Sequence, residues 1–142
     1  MNIKDIVNET IEKYGTNNPF ELCDLLKIKI AYSKLGNING YFIKVPKNKF
    51  IVLNEDLNCV KQKFVCAHEL GHALLHSELN TLFLQRNTLN IKGKYENQAN
   101  EFAAELLIDD DLLRYFEGYS IDTISNSTGI DSKYLEFKIK NN

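Results

Sequence analysis

The spacing of apolar positions changes character along this chain, and each change marks a different element. Ile3, Ile6, Val7 and Ile11 recur three or four apart and predict an amphipathic helix over 3–14, which Gly15 ends. "NNPFELCDLLKIK" restarts a short helix, with Asn18 placed to cap it and Pro19 suited to its first position. The period then shortens to two. "IKIAYSKL", "GYFIKV" and "KFIVLN" predict strands, the last two joined by a hairpin turn at Pro46-Lys47-Asn48. Asn54 to Asp56 offer an acidic, cap-competent start for the next helix, at about 57–76.

After Lys63 that helix is apolar on nearly every face, through Phe64, Val65, Ala67, Leu70, Ala73, Leu74 and Leu75. A helix of this kind is central and buried, so its His and Glu residues need partners. Residues 77–92 read as a loop, and "KYENQANEFAAELLI" at 94–108 as a second strong helix. Shorter helices follow near 111–117, 120–127 and 131–140, punctuated by Gly118 and Gly129. A chain of 142 residues without repeats or linkers makes one domain. It divides into N-terminal helices and sheet (1–56), two long helices (57–108) and C-terminal helices (109–142).

Composition excludes several classes. An apolar fraction of 44% and a charged fraction of 25% suit a soluble globular protein. A net charge of -2 gives no reason for general affinity to nucleic acid or anionic membranes. "MNIKDIVNETIEKYG" lacks the apolar stretch of a signal peptide, and no apolar run approaches a membrane span. With Cys23, Cys59 and Cys66 read as reduced, mostly buried core thiols, the expected compartment is the cytoplasm. The tail "IDTISNSTGIDSKYLEFKIKNN" has a helix–turn–helix outline. Lys133, Lys138 and Lys140 are offset there by Asp131 and Glu136, which favours a packing hairpin over a DNA reader.

The chemistry concentrates in "FVCAHELGHALLHSE", which holds all three histidines of the chain. Side chains four apart share one helix face, so His68 and His72 can grip one metal ion from the same side. Glu69 points about 100° away and reaches a metal-bound water rather than the metal, the HExxH arrangement of zinc metallopeptidases. His76 continues the row, but about 12 Å along the axis separates it from His68. It therefore reads as a helix-terminal or supporting residue, not a ligand.

The third ligand has to come from elsewhere, and the helix at 94–108 offers Glu96, Glu101 and Glu105. At about 100° per residue, Glu96 falls in the arc of Ala99, Phe102, Ala103, Leu106 and Leu107, whereas Glu101 and Glu105 fall on the other side, with the solvent. Glu96 is thus the expected ligand. Asn100, one turn on, could orient a ligand.

"HELGHALLH" followed by "ENQANEFAAELLI" resembles the ImmA/IrrE family of zinc metallopeptidases over about residues 20–117. The family's second motif reads roughly E-x-x-A-N-x-F-A-A-x-L-L-M-P; its Met-Pro ending is Ile108-Asp109 here. The resemblance implies an α+β, gluzincin-like fold, a short antiparallel sheet packed on the HExxH helix. It implies one Zn2+ held by His68, His72 and Glu96, with Glu69 as the base. It also implies a protein substrate, a repressor of a phage or mobile element, cut by an endopeptidase. The chain begins at the peptidase region without a helix-turn-helix, like the short ImmA-like type. Tyr95, Tyr41 and His76 are possible donors to substrate, and the strand at 41–45 a possible edge for an extended peptide. The competing reading is a zinc-containing binding module that sequesters the repressor with little or no proteolysis.

Overall fold

The computed structural model describes residues 2–76 and 89–140, the side chains of the second stretch from Gly93 onward. Among these residues the order is α1 (Ile3–Tyr14), α2 (Pro19–Leu25), β1 (Ile28–Ser33), β2 (Gly40–Val45), β3 (Asn48–Asn54), α3 (Cys59–Leu75), α4 (Leu89–Leu107), α5 (Asp110–Tyr115), α6 (Ile121–Thr128) and α7 (Ser132–Lys140). Of the predicted loop, 89–92 are instead helical, and 77–88 lie outside the described residues.

Local chemistry sets the helix ends. Asn2 and Asn18 cap α1 and α2 by accepting from backbone N–H groups, and Pro19 sits at the start of α2. Gly15 closes α1 at φ 73°, a left-handed conformation that favours glycine. The cap of α3 is Asn58, whose side chain accepts from the Lys61 N–H at 2.9 Å, rather than Asn54 to Asp56. Asn54 is committed elsewhere. Its buried amide donates to the carbonyls of Gly36 and Ile38, tying the 34–39 connection to the sheet.

The sheet has order β1-β3-β2. The β2–β3 hairpin is antiparallel, as its two-residue turn requires, with Val45 opposite Asn48. β1 joins parallel to β3, so the sheet is mixed rather than purely antiparallel. The 34–39 connection makes this possible by carrying the chain past the position that β3 later fills. β1 and β2 are the two outer strands of the described sheet.

One apolar core runs from Ile3 and Val7 through Leu22, Phe42, Ile51 and Leu53 to Leu70, Phe102 and Leu135. α3 is buried at every position from Phe64 to Ala73, as an all-round apolar helix must be. α4 is nearly as central, packing on α3, α1 and α7. That coverage overturns the placement of Glu105 in solvent: it is buried and paired with Lys138 of α7 at 3.1 Å, while Glu101 is half-buried. Cys23 and Cys66 are buried with their sulfurs 3.9 Å apart. Their contact, together with burial, pushes the Cys66 thiol far up from its ordinary pKa. Cys59, by contrast, is exposed at the start of α3 and is not a core thiol.

α6 and α7 form a hairpin about Gly129, with Ile124, Tyr134 and Leu135 in the core. Burial removes Lys138 from any exposed basic face. No described helix is long and apolar enough to cross a membrane.

Candidate metal centre

The helical register of α3 places His68 and His72 one above the other, with ring centroids 4.9 Å apart. Across from them stands α4, brought close by Gly71. A Cβ built at Gly71 would meet Phe102 side-chain atoms at 3.1–3.2 Å, so only glycine admits this approach without displacing the ring. Glu96 thereby reaches both histidines. Its Oε2 lies 2.9 Å from His68 Nε2 and its Oε1 lies 3.0 Å from His72 Nε2.

His68, His72 and Glu96 each offer one donor atom, all within 4.8 Å of one another. A tetrahedral ion with bonds of about 2.0–2.2 Å separates its ligand atoms by about 3.3–3.6 Å. The set is therefore compact enough to close on one ion with small side-chain adjustments. Glu69 adjoins it, buried at 3% exposure, its Oε2 3.8 Å from His68 Nε2.

Each imidazole is held on its far side. His68 Nδ1 lies 2.7 Å from Asn100 Oδ1, an acceptor that favours a proton on Nδ1, so Nε2, which faces Glu96, is the nitrogen that would meet an ion. His72 Nδ1 lies 3.0 Å from His76 Nδ1, and His76 Nε2 lies 2.6 Å from Gln98 Oε1. His76 is the residue that ends α3, buried, with the Tyr95 ring packed on it at 4.3 Å between centroids.

The electrostatics follow from these contacts. Burial opposes charging of His68, but the bond to Glu96 and the fields of Glu69 and Glu96 outweigh it and raise its pKa. For His72, burial, joined by the fields of His68 and His76, wins over Glu96 and the pKa falls. Burial likewise lowers His76. Glu96 also resists ionisation through burial, yet its bonds to His68 and His72 hold the carboxyl far below its ordinary value. It is an anion ready to meet a cation.

Tyr41 is not part of this arrangement. Gly40 abuts Val65 of α3 and Phe42 is fully buried, so alternation along β2 turns Tyr41 to the opposite face of the sheet. Tyr95 packs on His76 at the rim of the centre. Sequence reasoning missed Gln98 and the packing role of Gly71. Gln98 lies about 200° around α4 from Glu96. The signal for Gly71 was the glycine itself, inside an otherwise apolar helix.

Comparison with known proteins extends the resemblance beyond its two motifs. The Peptidase_M78 family model, the IrrE N-terminal-like domain, matches residues 23–137, from α2 into α7. An uncharacterized immunity region protein 2 of Bacillus phage phi105 is 38% identical over 139 residues, covering 96% of this chain and 88% of that protein. The metallopeptidase ImmA of Bacillus subtilis (strain 168) is 38% identical over 143 residues, covering 96% of this chain and 83% of that protein. The chain belongs to the IrrE-like family of metallopeptidases, and its convergent His-His-Glu set fits that membership.

Proposed function

We propose that this chain is a cytoplasmic zinc endopeptidase that cuts a partner protein, a helix-turn-helix repressor of a phage or mobile element. Metallopeptidase chemistry comes with the family; the metal, the compartment and the partner are our reading. The observation that carries it is the convergence of His68 Nε2, His72 Nε2 and the Glu96 carboxylate, with Glu69 beside them. Two imidazoles and one carboxylate are one of the donor sets of catalytic zinc, which keeps a fourth position open for water or substrate. The repressor target is supported by the relatives, one named for a phage immunity region and the other as the metallopeptidase ImmA.

Zinc held there would supply Lewis-acid polarisation of the attacking water and the scissile carbonyl. Glu69 takes the water's proton and passes it to the leaving amine. Its position next in sequence to His68 keeps its carboxylate off the ligand row but beside it. Asn100 holds the His68 ring at Nδ1, which would leave Nε2 to hold the zinc.

The test is Glu69→Gln. The variant should fold and bind zinc like the wild type while cleavage of the co-expressed repressor falls by about 10²–10⁴-fold. If it relieved repression in cells as fully as the wild type, the proteolytic account would fail and sequestration of the repressor would replace it.

A further inference from the structure

His72 is fully buried, so water does not satisfy its Nδ1, and the group needs a protein partner. That partner is another imidazole. His76 is pinned to His72 twice, by its ring at 3.0 Å and by its backbone N–H, which donates to the His72 carbonyl at 2.8 Å. The Tyr95 ring packs on its face, and Gln98 lies 2.6 Å from its other nitrogen.

Two ring nitrogens can share a hydrogen bond only if one ring donates and the other accepts. The row His72–His76–Gln98 therefore has two possible directions. With Gln98 Oε1 accepting, His76 carries its proton on Nε2 and presents a bare Nδ1. His72 then donates from Nδ1, and its Nε2, 3.0 Å from Glu96 Oε1, would offer a lone pair to a metal that takes the place of that contact. With the Gln98 amide reversed, every proton shifts one place. His76 would donate from Nδ1 to a bare His72 Nδ1, and the proton left on His72 Nε2 would block the ligand position.

We propose that Gln98 and His76 are positioning residues that set the tautomer of His72, so that α4 decides whether the second histidine of the HELGH helix can bind metal. The arrangement differs from that of His68, whose partner Asn100 acts directly at 2.7 Å. α4 thus supplies the carboxylate ligand at 96 and the determinants of both ring orientations at 98 and 100. The inference rests on His72 being a metal ligand.

The test uses zinc affinity measured by chelator competition and ring-nitrogen NMR of the zinc-loaded protein, without a peptidase assay. Gln98→Met, similar in size but without an acceptor, should lose about 10–100-fold in zinc affinity, and Gln98→Glu, which can only accept, should restore it. In the wild type, His76 should carry its proton on Nε2 and His72 on Nδ1. Wild-type affinity in Gln98→Met would overturn the relay, and so would a wild-type spectrum with the His76 proton on Nδ1, which needs no variant to fold. A wild type that took up no zinc would refute the ligand role of His72 itself, an outcome distinct from unchanged affinity among the variants.

Discussion

Glu96 and Glu105 lie nine residues apart on α4, about 180° around the helix, and each meets nitrogen from a neighbouring helix. Glu105 faces α7. Its Oε2 binds Lys138 Nζ at 3.1 Å, Asp110 approaches the same ammonium at 3.4 Å, and its Oε1 has no hydrogen-bond partner among the described residues. Glu96 faces α3, where both of its oxygens meet imidazoles and about a quarter of its side chain stays exposed. The first cluster is a closed ion pair of Glu105 with Lys138, with the exposed carboxylate of Asp110 at its edge. The second holds lone pairs from three side chains pointing at one place that a ligand can approach. Burial of polar groups is common to both, so it does not identify the site; convergence of donors does.

Three changes sharpen or break that contrast. The largest effect is expected at the closed pair. Lys138→Met strands a buried carboxylate and should cost about 3–5 kcal/mol in urea unfolding, whereas Lys138→Met with Glu105→Leu should recover most of it. Zinc affinity of the double variant should stay at the wild-type level. A loss of zinc there would mean that the two clusters are coupled through α4.

Next is Glu96→Ala, which removes a ligand and should lower zinc affinity by at least about 100-fold, more than loss of an outer partner. Zinc content by metal analysis decides this, and unchanged affinity would remove Glu96 from the centre. The smallest effect is at Gly71→Ala, where the new methyl meets Phe102 at 3.1–3.2 Å. Overpacking of this kind should cost about 1–3 kcal/mol. The methyl presses on the Phe102 Cβ as well as its ring, so α4 should be pushed back and zinc affinity should fall as well. A stability loss with zinc affinity intact would show that the α3–α4 spacing does not set the reach of Glu96.

Much of this molecule was legible before folding. The element order, the caps at Asn18 and Gly15 and the central position of α3 all follow from local spacing and turn chemistry. The pairing of His68 with His72 needs only helical periodicity, and the face of Glu96 needs only the apolar arc of α4. The errors have separate causes. Glu105 was assigned to solvent because its face of α4 is polar, and α7 covers it with a lysine that looks surface-bound in sequence. Cys59 was assigned to the core by composition, although it occupies the exposed first turn of α3.

The sequence by itself determined the donor types and the ligand spacing within one helix, because periodicity along a single helix is a local property. Only the tertiary structure decided how closely α3 and α4 approach, which strand lies between which, and that His76 reaches Gln98 across 22 positions of chain. Those contacts join residues with no common period. They depend on the volume left at Gly71 and on the need to satisfy each buried polar atom, and neither is written in the spacing of any one segment.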